Sequence, residues 1–374
     1  MNTVYPVLYK EADRRVNGKT SKVLALLLAL MLVVAFAPGC AAEEEPATEE
    51  PVAEEPVAEE PALRTAMITD TAGLGDKSFN DLTWSGFESA ESELNVEIKA
   101  LESATINDYE PNLEELALAG YSPLVATGFL LTDTVSKVAP QYPDTMFINI
   151  DGFFDPVPAN VVGVGFKEHE GSYLAGVVAG LATKDTFDDR LNDKNIIGFV
   201  GGMDVPLIRK FQAGFEAGAK SVNPDVQVIG LYTGSWDDVA KGKELGLSLI
   251  DQGADVIFAA AGGCGEGTVR ACQEKGALFI GVDADQYNTI SDSGDVMLTS
   301  MMKNIDVVVF DLIEDMVNGE FPAGTMQVFG LAEGGVGLAP YHDFESKVPQ
   351  AIKDAVDKAT DDIVSGKVIV PEEM

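Results

Sequence analysis

The chain has 374 residues and sets 25 Lys and Arg against 61 Asp and Glu, a formal net charge of -36. A field of that sign repels phosphate backbones and leaves no basic stripe for a duplex to lie against, so nucleic acid is excluded as a partner. It also disfavours anionic ligands wherever a cleft supplies no cation of its own, and the length exceeds that of one ordinary domain.

At the N-terminus Lys10, Arg14, Arg15, Lys19 and Lys22 precede an apolar run from Val23 to Ala37. Such a run is short for a spanning helix, which needs about twenty residues, and suits the core of an export signal. Ala37-Pro38-Gly39-Cys40 follows, with a small residue directly before a cysteine as in a bacterial lipobox, although Ala37 and Pro38 depart from its usual Leu and small residue. Residues 1–40 are therefore expected to be a signal peptide with Cys40 as the lipid-attachment site, anchoring the protein on the outer face of the cell membrane. Residues 41–62 read AAEEEPATEEPVAEEPVAEEPA, too acidic and proline-rich to form a core. A polyproline-like spacer of that length reaches roughly 60 Å at ~3.1 Å per residue.

From Leu63 onward, short β-rich runs alternate with amphipathic helical ones, the pattern of parallel sheets with crossover helices. Strands are expected at 65–69, 96–100, 124–127, 146–150 and 161–166, then at 196–201, 226–231, 256–260 and 279–282. Helices are expected at 168–182, 208–221 and 239–252, with a further strand and helix from Met297 that return to the first lobe. The fold class is thus α/β with two doubly wound parallel-sheet lobes: 63–166 with 284–320 as lobe I, and 167–283 with 321–374 as lobe II. Residues 341–374 read as a helical end without a functional motif.

Ligands of such sheets sit at the carboxyl ends of the strands. Those positions carry Asp70 and the loop Gly73 to Asn80, Thr127-Gly128-Phe129, Asp151-Gly152, Gly201 to Asp204, Tyr232 to Asp237, Ala261 to Gly265, and Asp283 to Gln286. Glycines, carboxylates and aromatics recur there, and nucleophile-base pairs do not. The sequence has 2 histidines, His169 and His342. Neither stands beside a nucleophile at a strand end, which gives a Ser-His-Asp or Cys-His site little to build on, and His169 is expected to face solvent or the helix start rather than to act as a base. No His or Cys cluster has metal-ligand spacing. Cys264 and Cys272 are compatible with one disulfide or with two buried thiols. Gly262 to Gly267 lacks the three-glycine spacing of a dinucleotide fingerprint.

With these residues in place, the chain from Leu63 to the mid-300s resembles the basic membrane protein family of solute-binding lipoproteins, nucleoside-binding relatives of type I periplasmic binding proteins. The resemblance is carried by GLGDKSFN (Gly73 to Asn80), F-x-x-x-E-G-S-Y-L-A-G (Phe166 to Gly176), GFVGGMDVPLIRKFQAGFEAG (Gly198 to Gly218), GSW-D (Gly234 to Asp237), KGKE (Lys241 to Glu244) and GVDADQ (Gly281 to Gln286). It implies two lobes joined by a hinge, a nucleoside, purine favoured, enclosed between them, delivery to an ABC permease, and neither catalysis nor a cofactor. By that resemblance Phe79 and Trp236 sandwich the base, a stack worth on the order of 1 to 3 kcal/mol. Asp70, Asp283 and Lys303 hold the ribose hydroxyls, Gly263 lets backbone approach the sugar, and Asn80 and Gly128 complete the first-lobe set. Riboflavin or a sugar as ligand, a ligand-presenting sensor, and a nucleoside-metabolising enzyme are the alternatives.

Overall fold

The computed structural model describes Pro61 and residues 63–373. The expected signal peptide, Cys40 and nearly all of the spacer lie outside the described residues. Among the described residues no helix is long and apolar enough to cross a membrane.

The first half builds β1 (Leu63–Ile68), α1 (Phe79–Leu94), β2 (Val96–Leu101), α2 (Tyr109–Leu118), β3 (Leu124–Thr127), α3 (Thr132–Val138), β4 (Phe147–Ile150) and β5 (Val161–Phe166). Then come α4 (Glu168–Ala182), β6 (Ile196–Gly201), α5 (Pro206–Val222), β7 (Gln227–Tyr232), α6 (Val239–Asp251), β8 (Val256–Ala260), α7 (Cys264–Lys275), β9 (Leu278–Asp283) and the short α8 (Gln286–Thr289). The chain closes with β10 (Met297–Lys303), α9 (Ile305–Asn318), β11 (Thr325–Phe329), β12 (Val336–Leu338) and α10 (Gln350–Val364). Two sheets result, ordered β11-β5-β4-β3-β1-β2 and β12-β10-β9-β8-β6-β7. Every pairing is parallel except β10 with β12. Strands β3, β4, β5, β8 and β9 are buried along their whole length, which is why they read as unbroken apolar runs: helices cover both faces of each sheet.

The lobe boundaries differ from expectation at the C-terminal crossings. Residues Met297–Lys303 stay in the second sheet, with Met301 opposite Val282 and Met302 opposite Asp283. This strand is buried at nearly every position, so it needs a neighbour on each side and finds β9 and β12. Only α9 returns to the first lobe, where it lies so close to α1 that a Cβ on Gly86 would come within 2.6 Å of the Asp306 carbonyl. β11 then covers the open edge of β5, Thr325 opposite Val162, instead of joining lobe II. The chain thus passes between lobes after β5, after β10 and between β11 and β12.

Two readings left open by the sequence are decided by the fold. His169 is 6% exposed, because the start of α4 is pressed against α5. Cys264 and Cys272 are both free, buried thiols. They lie on one helix, and an eight-residue rise of about 12 Å exceeds the ~7 Å between Cα atoms that a disulfide tolerates.

Helices α4 and α5 approach through glycine. A Cβ on Gly176 would stand 2.1 Å from the Phe215 carbonyl oxygen, on Gly214 2.2 Å from that of His169, and on Gly218 2.0 Å from that of Tyr173. Backbone cannot yield as a side chain can, so Gly218→Ala must push the helices apart. Overpacking of this kind costs roughly 1–3 kcal/mol, set against the ~1 kcal/mol that alanine adds to helix propensity. Gly218→Ala is expected to lower the urea midpoint of the protein; an unchanged or raised midpoint would show that the contact is loose.

Candidate functional site

The carboxyl ends of both sheets face one cavity, lined by Asp70, Phe79, Gly128, Phe129 and Asp151 from lobe I and by Phe211, Trp236, Gly262, Asp283 and Lys303 from lobe II, among others.

Asp70 follows β1. Its Oδ1 accepts from the Asn80 amide at 2.8 Å and from the Ala72 backbone N–H at 2.9 Å. Burial pushes its carboxyl up to about 6 in spite of these bonds. Asp76 accepts the backbone N–H groups of Ser78, Asn80 and Asp81, so it serves the unpaired donors at the start of α1 from outside the helix. The Asn80 amide spans both carboxylates, reaching Asp76 Oδ2 at 3.0 Å. Asn80 is itself fully buried behind the wall of the cavity, and it orients Asp70 there.

Phe79 opens α1, with Gly128 opposite it at φ +111; a Cβ on Gly128 would stand 3.6 Å from Phe79 and 3.7 Å from Asp70 Oδ2. That glycine keeps open the space between ring and carboxylate. Trp236 comes from the loop after β7. It is seated on Gly202, where a Cβ would fall 2.2 Å from the indole, and it meets Phe129 edge-on at 6.4 Å with an interplanar angle of 74°. The buried indole N–H has no acceptor among the described residues. Gly262, at φ +53, faces the cavity. Gly263 lies one residue behind it, where a Cβ would stand 3.3 Å from the Trp236 carbonyl oxygen, and supports that loop.

Lys303 at the end of β10 is 1% exposed. Its ammonium donates to both oxygens of Asp151 at 2.7 Å and to Glu168 Oε1 at 3.2 Å, and lies 5.1 Å from the Phe79 ring centre. Burial alone would lower its affinity for a proton, yet the surrounding carboxylates Asp151, Glu168 and Asp283 hold it above its ordinary value. Burial pushes Glu168 upward, and its Oε2 has no partner among the described residues. Asp283, also driven up to about 6 by burial, accepts 2.6 Å from Ser78 Oγ.

Six of the residues expected from sequence therefore line the cavity, namely Asp70, Phe79, Gly128, Trp236, Asp283 and Lys303, while Asn80 and Gly263 stand behind its wall. Sequence reasoning did not assign Phe129, Asp151, Glu168, Gly202 or Phe211. Asp151 and Gly202 stood at strand ends already singled out, and Glu168 was a charge opening an otherwise apolar helix. Phe211 lay one turn into α5, where only the fold shows that it reaches the cleft. Among the described residues, no group of acidic, His and Cys side chains has the arrangement of a metal site.

Residues 63–373 match the family model described as ABC transporter substrate-binding protein, PnrA-like. The nucleoside-binding protein BmpA of an ABC transporter in Lactococcus lactis is 32% identical over 94% of this chain and 99% of its own length. A CD4+ T-cell-stimulating antigen of Listeria monocytogenes is 37% identical over 82% of this chain and 87% of its own. Basic membrane protein A of Borreliella afzelii is 30% identical over 79% and 88%. Among solved structures, an ABC-system solute-binding protein from Aeropyrum pernix superposes with a TM-score of 0.76 at 26% identity, covering 83% of this chain and 94% of that one. An arabinose-binding protein from Geobacillus stearothermophilus shares the fold at a TM-score of 0.54 and 14% identity, over 77% and 100%. On this sequence, this two-lobed architecture and these relatives, the chain belongs to the PnrA-like, basic membrane protein family of ABC transporter substrate-binding proteins.

Proposed function

We propose that this protein captures an uncharged nucleoside between its lobes and passes it to an ABC permease, held at the membrane by a lipid on Cys40 and doing no chemistry on its cargo. The observation that carries this reading is the pairing of flat aromatic walls, Phe79, Phe129 and Trp236, with the acceptors Asp70 and Asp283 in one cavity. A nucleobase offers a broad π-face to the rings, and ribose offers hydroxyl donors to carboxylates, which accept more strongly than neutral groups. A nucleotide phosphate would meet Asp70, Asp151 and Asp283 in a cleft whose buried cation, Lys303, is already engaged by Asp151 and Glu168. The Lactococcus lactis relative is named as a nucleoside-binding protein, which supports this assignment.

A thermal-shift panel of nucleosides, nucleotides, sugars and riboflavin, run after stripping bound ligand, tests the reading directly. Saturating nucleoside at a hundred times Kd should add about 2.7 kcal/mol of stability. A response to sugars or riboflavin with none to nucleosides would keep the fold and overturn the ligand.

Trp236→Ala removes one wall of the stack. Loss of ~1–3 kcal/mol predicts a nucleoside Kd weakened by roughly fivefold to a hundredfold, read by calorimetry, with the unliganded unfolding curve retained. An unchanged Kd would move the base away from Trp236.

The two raised carboxyls give opposite pH dependences. Asp70 and Asp283 bind protons more tightly folded, at about 6, than unfolded, near 3.9. Their contribution to unliganded stability is therefore present at low pH and lost as pH rises from about 4 through 6. Hydroxyl donors favour the ionised form, so binding releases protons and affinity should rise between pH 5 and 7, then level off. Calorimetry in buffers of different ionisation enthalpy checks this; proton uptake on binding would contradict it.

A further inference from the structure

The loop from Gly73 to Ser78 is built within lobe I before it touches lobe II. Asp81 accepts from the Gly75 and Lys77 N–H groups at 2.6 and 3.0 Å, and Asp76 accepts from the Ser78, Asn80 and Asp81 N–H groups. Held this way, Lys77 adopts φ +58, a left-handed conformation that lysine seldom takes. Two polar groups of the loop point across the cleft instead of inward. The Ser78 hydroxyl donates to Asp283 Oδ2 at 2.6 Å, and the Lys77 carbonyl accepts from Gln286 Nε2 at 3.2 Å and Thr289 Oγ1 at 3.0 Å. Ser78, Asp283 and Gln286 are 0%, 6% and 1% exposed, so the Ser78–Asp283 bond is shielded from water and the two to the Lys77 carbonyl partly so. Neither Ser78 nor Thr289 lines the cavity.

We propose that Ser78 is a positioning residue for ligand retention: with the Lys77 carbonyl it latches the closed cleft, and it orients Asp283 by occupying one carboxylate oxygen. This rests on the two-lobed capture described above. Because the loop is prefolded, closure orders no backbone, and the three cross-lobe bonds exist only in the closed form. They therefore act on the rate at which the cleft reopens, and leave the rate of encounter unchanged. The same hydroxyl ties Phe79, the next residue in the chain, to the carboxylate on the opposite lobe, so the aromatic wall and the hydroxyl acceptor arrive together.

The test uses the full-length chain with inosine or adenosine as probe in stopped flow. Ser78→Ala should speed dissociation on the order of tenfold, the size expected for losing a hydrogen bond to a carboxylate, while association and the unliganded unfolding midpoint stay within twofold and a degree or two. Ser78→Thr, which keeps the hydroxyl, should restore slow release. Thr289→Val, nearly isosteric and remote from ligand, should speed release by a smaller factor, which keeps the proposal testable if Ser78→Ala folds poorly. Dissociation unchanged or slowed in both variants, or an effect confined to association, would overturn the latch. If wild type binds neither nucleoside, the nucleoside assignment fails by itself, and the latch is read with whichever compound of the thermal-shift panel binds; release from both variants as slow as from wild type would overturn it.

Discussion

An ammonium buried between two sheets governs the geometry of this cleft. Lys303 comes from lobe II, Asp151 from lobe I, and Glu168 from the first residue of the helix that follows the first crossover. Stripping three charges of water is expensive, and their attraction repays it only when the geometry is tight; deleting one member of such a set typically costs about 3–5 kcal/mol. The bidentate contact with Asp151 supplies that geometry. Glu168, at 3.2 Å and with one oxygen unpaired, is the weaker partner, which is why burial drives its proton affinity upward. The cluster makes a lysine that resembles a ligand donor into a fixture of the wall, and it leaves Asp70 and Asp283 as the carboxylates whose acceptor capacity faces the cavity.

The two lobes place their carboxylates by one backbone device. Asp151 and Asp283 stand at the ends of β4 and β9, and both are left-handed, at φ +58 and +61. Aspartate tolerates that region better than most residues do, and the abrupt turn swings the side chain off the strand axis toward the cleft. Because β4 and β9 are fully buried, the turns are anchored in the stiffest parts of the molecule. Each lobe thus anchors its own carboxylate of the cleft in a rigid sheet.

Much of this was legible in the sequence, for identifiable reasons. Continuous apolar runs such as FINI and LFIGVD read directly as doubly covered parallel strands, and the glycine and carboxylate punctuation after them marked the cleft. The crossings after β10 and β11 were not legible, because a strand's own residues do not state which neighbour it will pair with: β10 and β11 differ in the sheet edge left vacant for them, and that is a property of the assembled fold. The burial of His169 was hidden for a similar reason. A histidine in the first turn of a helix ordinarily faces water, but α4 packs against α5 on one side and α10 on another, and the glycines that permit this contact stand some forty residues away on α5.

Glycine and aromatic positions in the site are also paired in ways that constrain each other. Gly202 makes the seat for Trp236, and Gly128 holds open the gap beside Phe79. An enlarged residue at either glycine would act on ligand through its ring, even where it never touches ligand. Beyond its seat the indole meets Phe129, its ring nearly perpendicular, and both rings line the cavity. Separately, Phe211 and Phe258 pack from the cavity wall into the core of lobe II. Side chains in such a core settle into discrete packings and do not deform continuously, so the backbone clearances at Gly202 and Gly128 help to set where Trp236 and Phe79 stand.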